Sequence, residues 1–239
     1  MTRLDRIGGF KHKLDSMTDS RPTSERILDV AEELFASTGY HATSLGDIAD
    51  RVGIRTPSLY NHFKNKEALY AAVLERLMAH FRPIIAAAAP QPGRAPHGRR
   101  EALAWARRMV ECYFAHPNFA RLLQHAALAE TPIAGAQIQA LFEPLFAPVT
   151  EGARMPQALQ PWAVMDFNNL LVSYITLAPL YRGLIGIDPM APEGRARHVE
   201  MVLELVDAAL SQQALRPAHP RGAPAMPQDP GTGHSGGST

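Results

Sequence analysis

Apolar side chains recur every three to four positions between residues 24 and 89, and this period predicts four α-helices that each bury one face. The first apolar stripe covers residues 27–35, and Gly39 follows it as the residue that ends the helix. The second stripe is shorter and covers residues 45–52. We therefore expect the N-terminal third of the chain to be a block of short helices.

The second predicted helix has clear start and stop signals. Ser44 can cap its first turn, Asp47 occupies the partner position of a capping box, and Gly53 ends the helix. A third short helix is predicted over about residues 56–63. Two short helices joined by a glycine turn form a helix-turn-helix, here residues 44–63.

The remainder of the chain also has a helical pattern, and no alternating strand pattern is visible. Pro179 is expected to kink the helix that contains it. The predicted fold class is all-α, with an N-terminal three-helix helix-turn-helix domain, a C-terminal helical domain and about nine helices. The fourth predicted helix begins near residue 65. The later predicted helices cover about 99–115, 118–129, 133–152, 160–186 and 195–213.

Composition divides the chain into regions. Residues 1–21 are polar and are predicted to form a flexible arm, and residues 216–239 are rich in Pro and Gly and are predicted to be disordered. A Pro- and Gly-rich stretch at residues 90–98 indicates a linker between two helical blocks. We therefore predict a helix-turn-helix domain over residues 22–82 and a second helical domain over residues 83–215.

The last predicted helix is apolar on two sides. Val199, Val202 and Val206 lie on one stripe, and Met201 and Leu205 lie on another. A surface helix with two apolar faces usually packs against its own protein and against a partner. The sequence therefore predicts a homodimer that forms through the last two predicted helices.

Composition also excludes classes of function. The formal net charge is only +1, so a basic surface for nucleic acid has to be local. The single cysteine, Cys112, allows no internal disulfide, which fits a reducing cytoplasm, and the apolar stretch at residues 170–181 is too short to span a membrane. No phosphate loop, nucleophile elbow or H-E-x-x-H motif is present, and the histidines are scattered. We expect no enzymatic activity, no cofactor and no metal site.

The exposed side of the third predicted helix carries side chains that suit contact with DNA. Thr56, Ser58, Tyr60, Asn61 and His62 can each form hydrogen bonds with a base edge or a phosphate. No acidic residue lies among them, and lysines follow near the N-terminus of the next helix, where free backbone amides favour phosphate. The sequence therefore predicts that this helix contacts DNA.

This part of the chain resembles the TetR family of bacterial transcriptional regulators over roughly residues 22–82. The string TPSLYNHFKNKEAL is especially similar to the recognition helix of that family. The C-terminal helices are similar to the family only in length and helical character. The matching residues are Ile27, Ala31, Phe35, Gly39, Ile48, Ala49, Gly53, Leu59, Tyr60, Phe63, Lys66 and Leu69.

The resemblance implies a set of DNA contacts. Thr56 and Ser58 would approach base edges in the major groove, with Pro57 against a thymine methyl group. Lys66 would bind a phosphate from the start of the fourth helix, and Ser44 would do so from the second. The residues that the resemblance places on DNA are Ser44, Arg55, Thr56, Pro57, Ser58, Tyr60, Asn61, His62 and Lys66.

Two positions depart from the family pattern. Gly46 has no side chain where some relatives place a long polar one that reads a base, and it costs about 1 kcal/mol of helix stability relative to alanine. Arg55 stands where a small capping residue is common; it cannot cap, but it can bind phosphate or guanine. The operator sequence therefore does not follow from the resemblance.

The resemblance also makes the C-terminal region a ligand-binding and dimerisation domain. Aromatic and methionine side chains there suit an apolar or aromatic ligand, although each of them is more often ordinary core. His125, Asn168 and Asn169 are polar residues inside apolar segments, and they need partners, either a ligand or a hydrogen bond between helices. The candidate ligand-binding residues are Phe81, Trp105, Met109, Tyr113, His125, Phe142, Asn168 and Tyr174.

These features predict a DNA-binding transcriptional repressor that a small apolar or aromatic effector releases from a palindromic operator. In the implied mechanism the effector tilts the fourth helix and spreads the two recognition helices from the spacing of successive major grooves, about 34–36 Å. Two alternatives remain, an enzyme built on a helical bundle and a helical ligand-binding or scaffold protein without operator binding. Substrate turnover would support the enzyme, and a flat salt dependence of DNA affinity would support the scaffold.

Overall fold

The structure is a computed structural model, and residues 21–88, 98–129, 132–150 and 161–215 are described. The helices of the described residues, in chain order, are α1 Thr23–Ala42, α2 Leu45–Val52, α3 Thr56–Tyr60, α4 Lys66–Ala88, α5 Arg99–Ala115, α6 Pro117–Ala129, α7 Pro132–Thr150, α8 Pro161–Thr176, α9 Ala178–Ile185 and α10 Pro192–Leu215. No strand occurs among these residues, and the all-α prediction is confirmed. The predicted arm, apart from Arg21, and the predicted tail lie outside the described residues, as does most of the predicted linker.

Local signals set the ends of α2. The Ser44 hydroxyl accepts a hydrogen bond from the backbone N–H of Asp47 at 3.0 Å, and the Asp47 carboxylate accepts one from the backbone N–H of Ser44 at 3.3 Å. The predicted capping box is therefore confirmed. Gly53 ends the helix in the left-handed region, with φ 81° and ψ 32°.

Gly39 interrupts the helical geometry of α1 near its end. Its φ is 84° and its ψ is 167°, a conformation that residues with a Cβ rarely adopt. A Cβ added there would lie 3.2 Å from Nδ1 of His125, on α6. Both the backbone and the close approach of α6 therefore require glycine at this position.

Gly39→Ala is expected to lower the free energy of unfolding by about 1–3 kcal/mol, because the variant combines backbone strain with a tight contact. Urea unfolding followed by circular dichroism measures the change. The matched control is Gly135→Ala within α7, where a Cβ meets nothing within 4 Å and alanine favours the helix. Equal stability of Gly39→Ala and wild type would contradict this account of the α1–α6 contact.

One long helix connects the N-terminal block to the rest of the protein. α4 packs against α1, α5 and α7, and it crosses the predicted domain boundary at residues 82 and 83 without interruption. Its Phe81 ring lies in an aromatic cluster with Tyr113 and Phe119, at centroid distances of 5.0 Å and 4.2 Å. Because the core is continuous along α4, a shift of this helix would displace the residues packed against both of its ends.

Two predicted helices end earlier than expected. The predicted helix over 160–186 is two helices, because α8 ends at Thr176 and α9 begins at Ala178. Pro179 lacks a backbone N–H and cannot donate to the preceding turn, so the chain breaks there rather than bending. The predicted helix over 56–63 ends at Tyr60, and a turn follows. Across the described parts of the chain, none of the helices has the length and apolar character needed to cross a membrane.

Candidate nucleic-acid interface and ligand cavity

The short helix α3 is buried on one side and exposed to solvent on the other. Leu59 is 0% exposed and packs in the core of the N-terminal block, with Phe63 partly buried beside that core. Tyr60 is 52% exposed. Of the other predicted contacts in this segment, Thr56 is partly exposed, while Arg55, Pro57, Ser58, Asn61 and His62 are exposed.

The turn before α3 presents Arg55 to solvent. Arg55 is the N-cap residue of α3, its backbone is extended with φ −81° and ψ 144°, and its side chain makes no capping hydrogen bond. The absence of a side-chain cap agrees with the sequence argument that arginine cannot fill this role. The guanidinium group stands at the start of the exposed α3 surface.

Lys66, the first residue of α4, is held beside α3. Its Nζ donates to the His41 carbonyl at 3.4 Å and lies 4.5 Å from the centroid of the Tyr40 ring. Partial burial lowers the pKa of Lys66, and the neighbouring Glu67 carboxylate opposes that shift. The aromatic face and the carbonyl fix the position of the ammonium group. The sequence analysis missed Tyr40, and its only signal was an aromatic residue directly after Gly39.

Other polar groups near α3 are occupied within the protein. Arg51 forms an ion pair with Glu33 at 2.5 Å, and Arg26 donates to the Val52 carbonyl at 2.6 Å. The Ser44 hydroxyl is used in the capping box, although the residue is exposed. The α3 surface therefore takes its positive charge from Arg55, Lys66 and their neighbour Lys64 rather than from α2.

A cavity of about 580 Å³ lies between α6, α7 and α8. Two of the predicted ligand-binding residues, Phe142 and Asn168, line it. The lining is mainly apolar with a few uncharged polar side chains. The described lining residues are Leu123, Gln124, Ala126, Ala127, Gly135, Ile138, Phe142, Asn168, Asn169, Val172, Ser173, Thr176 and Leu177.

The remaining predicted ligand-binding residues lie elsewhere. Phe81, Met109 and Tyr113 are buried in the core. Trp105 donates from its indole nitrogen to the Ile84 carbonyl at 2.8 Å. The Tyr174 hydroxyl donates to the carbonyls of Pro189, before α10, and Gly194, in its first turn, at 2.9 Å each. His125 faces Gly39.

Asn168 forms a hydrogen bond between helices, one of the two kinds of partner that its sequence position allowed. Its Oδ1 accepts a hydrogen bond from the Tyr113 hydroxyl at 2.7 Å, which joins α8 to α5. The same residue lines the cavity. The other lining residues of this segment had one signal in the sequence, a spacing of four that places them on one face. Val172 and Thr176 continue this spacing from Asn168, and Ser173 and Leu177 continue it from Asn169.

Cys112 and the pair of His80 and His116 lie outside the α3 surface and the described cavity lining. Burial raises the pKa of the Cys112 thiol to about 11, so it stays protonated at neutral pH, as expected for a partly buried core side chain. His116 stacks on His80 with ring centroids 3.8 Å apart. Among the described residues no group of three or more His, Cys, Asp or Glu is arranged to hold a metal ion.

Known proteins share the N-terminal block. The family described as "Bacterial regulatory proteins, tetR family" matches residues 27–73, which cover α1, α2, α3 and the start of α4. The N-terminal block is therefore of the TetR type.

Curated TetR-type regulators match this chain over the N-terminal block. The transcriptional activator FasR of Mycolicibacterium smegmatis is 48% identical over 58 residues, which are 23% of this chain and 26% of FasR. The transcriptional regulator UidR of Escherichia coli is 40% identical over 74 residues, which are 29% of this chain and 38% of UidR. The transcriptional repressor ComR of Escherichia coli is 48% identical over 54 residues, 23% of this chain and 26% of ComR. The match therefore spans less than two fifths of each of these relatives.

Solved TetR-type structures share the fold beyond this block. The fatty acid degradation regulator FadR of Bacillus halodurans aligns with a TM-score of 0.54 at 17% identity, over 81% of this chain and 98% of FadR. A TetR family transcription regulator from Marinobacter aquaeolei aligns with a TM-score of 0.51 at 20% identity, over 83% of this chain and 97% of that one. At these identities the likeness shows the fold alone.

Proposed function

We propose that this protein is a homodimeric DNA-binding repressor of the TetR family that leaves a palindromic operator when a small, mainly apolar effector binds its C-terminal domain. The observation that carries the proposal is the α3 surface, where polar side chains stand exposed above a buried Leu59. The proposal assigns DNA binding to residues 22–82, and ligand binding and dimerisation to residues 83–215. As a regulator of transcription it would act in the cytoplasm, without catalysis.

The α3 surface supports DNA binding because its chemistry matches a groove and its flanking phosphates. Ser58 and Thr56 would donate or accept at base edges, which gives sequence preference. Arg55 and Lys66 stand on either side and would bind phosphates, which gives affinity that depends on salt. The remaining proposed contacts are Ser44, Pro57, Tyr60, Asn61 and His62.

The surface of α9 and α10 supports dimerisation. Leu180, Leu184 and Ile187 are exposed to at least half their area on and beside α9, and Leu205 is similarly exposed on α10. A cluster of large exposed apolar side chains on a monomer marks an interaction surface. A two-fold axis through this surface would pair two α3 helices, as a palindromic operator requires.

Packing between the cavity and the N-terminal block supports release by an effector. α6 and α7 form cavity walls, and α6 contacts α1 through His125 and Gly39. On α7, Gln137 donates to the Ala71 carbonyl of α4 at 3.5 Å. A ligand that separates these walls would therefore move both α1 and α4, and a coupling of about 1–3 kcal/mol is enough to release an operator.

Footprinting the dimer on its own upstream intergenic DNA tests the proposal, followed by transcription from that DNA with and without protein. We expect a protected palindromic element and reduced transcription. Absence of any protected element would remove operator binding, and increased transcription would make the protein an activator. Turnover of an aromatic or acyl substrate by the pure protein would support the enzyme alternative instead.

Lys66→Ala is expected to weaken binding to operator and to unrelated DNA alike, by about tenfold or more at moderate salt, because each subunit loses a phosphate contact. The slope of log affinity against log salt should fall by about two for the dimer. Fluorescence anisotropy across a salt titration measures both quantities. The matched control is Arg108→Ala, which removes the same charge from an exposed position on α5. An unchanged slope in Lys66→Ala would show that Lys66 does not contact phosphate.

A further inference from the structure

The described lining of the cavity between α6, α7 and α8 carries no charged side chain. These described residues include no Asp, Glu, Lys, Arg or His. An ion that leaves water without a partner of opposite charge loses several kcal/mol of solvation. The described cavity therefore favours a ligand that is neutral at physiological pH.

Two of the polar groups in the lining are already satisfied. The Ser173 hydroxyl donates to the Asn169 carbonyl, and the Thr176 hydroxyl donates to the Val172 carbonyl at 2.9 Å. Both bonds return to the backbone of α8 itself. These hydroxyl protons are therefore committed to the helix rather than directed at a ligand.

Asn168 is different because a buried neighbour fixes its amide. Tyr113 lies in the core at 2% exposure and donates to Oδ1 of Asn168 at 2.7 Å. An amide whose oxygen is held in this way presents its NH₂ group on the other side. No acceptor for that NH₂ group is found among the described residues, and its nitrogen is not sealed from solvent. Asn168 is thus an oriented hydrogen-bond donor in a mainly apolar lining.

We propose that this cavity binds an uncharged, largely apolar molecule whose carbonyl or other hydrogen-bond acceptor receives a hydrogen bond from Nδ2 of Asn168. The inference rests on the proposed function, because it names the chemical class of the effector. The volume of about 580 Å³ suits one such molecule of moderate size. Leu123, Ile138 and Phe142 supply apolar contact for the remainder of the ligand.

The test uses the full-length protein with Nile red, a neutral dye that carries a carbonyl, as the fluorescent reporter. Three compounds of similar chain length are then tested for their ability to displace the dye: 2-dodecanone, dodecanoate and dodecylamine. The neutral ketone should displace the dye at a concentration about tenfold or more below that of either ion, because only the ketone enters without an unpaired charge. Equal or better competition by dodecanoate or dodecylamine would overturn the proposal.

Asn168→Asp exchanges the NH₂ donor for a carboxylate and should weaken ketone binding by about tenfold or more. Asn168→Leu removes the donor without adding charge and should also lower the affinity for the ketone. The matched control is Gln139→Glu, the same exchange of an amide for a carboxylate at an exposed position on α7 outside the described cavity lining. The control should stay within about twofold of wild type, since a solvated carboxylate costs little. Unchanged ketone affinity in both folded Asn168 variants would show that Asn168 does not donate a hydrogen bond to the ligand.

Operator binding by the unliganded protein separates this proposal from the proposed function. A protein that binds operator but not the ketone would overturn the ligand class alone. A protein that binds the ketone through Asn168 but does not bind operator DNA, or stays bound to it when the ketone is added, would support the ligand class and overturn the proposed function. Circular dichroism of each variant shows that the fold is retained.

Discussion

Leu184→Glu is expected to convert the dimer into monomers and to abolish operator binding. Leu184 is 68% exposed on α9, among the large apolar side chains that would face the partner. Because a two-fold interface presents the same residue twice, each substitution places two carboxylates in the apolar contact. A buried charge without a partner costs about 3–5 kcal/mol, so dimerisation should weaken by at least about a hundredfold.

Sedimentation velocity and operator anisotropy measure these two effects. The matched control is Leu128→Glu, where the leucine is 77% exposed on α6, a helix that packs mainly against α1 and α8. The control should remain dimeric with unchanged DNA affinity. A dimeric Leu184→Glu variant would show that the subunits meet elsewhere, and a monomer that retains full operator affinity would show that each half-site is bound independently.

The N-terminal block was predictable because its signals are local. The Ser44–Asp47 capping box and the glycine at position 53 act within a few residues, so the sequence alone gives the bounds of α2. The alternation of a buried Leu59 with polar neighbours gives the open face of α3 in the same way. Its early end at Tyr60 was missed, because a single turn of helix leaves no periodic pattern to measure its length.

The C-terminal helices were less predictable because their features depend on contacts distant in sequence. Asn168 owes its orientation to Tyr113, 55 residues earlier, so its polar character gave no indication of which atom faces the cavity. Trp105 and Tyr174 suited a ligand by residue type, yet both polar atoms bond to backbone carbonyls. The break at Leu177 was expected only as a kink, since Pro179 permits either outcome.

The exposed α3 surface and the cavity are connected through shared helices rather than through a direct contact. α4 begins with Lys66 beside α3 and later packs against α7, a wall of the cavity. α6 lines the cavity and also places His125 next to Gly39, the residue of α1 whose backbone is not helical. A ligand in the cavity would therefore act on two helices of the N-terminal block at once.

Acid is expected to destabilise the protein through His198. This residue of α10 is 4% exposed, stacks on Tyr174 at a centroid distance of 3.7 Å, and its Nε2 has no hydrogen-bond partner among the described residues. Burial lowers the pKa of His198 from 6.5 to about 4. Between these values the unfolded chain binds a proton that the folded protein does not, so stability falls as the pH falls through this window. The maximum loss is about 3 kcal/mol at pH 4 and below.

His198→Phe keeps an aromatic ring in the stack and removes the titrating group, so the variant should lose about 3 kcal/mol less stability than wild type on the same acid shift. Urea unfolding at a series of pH values measures this difference, in which the titration of all other groups cancels. The control is His62→Phe on the exposed α3 surface, where the pH dependence should match that of wild type. Identical acid sensitivity in His198→Phe and wild type would mean that the folded protein accommodates a charged His198, by moving α10 away from Tyr174 or by admitting water to Nε2.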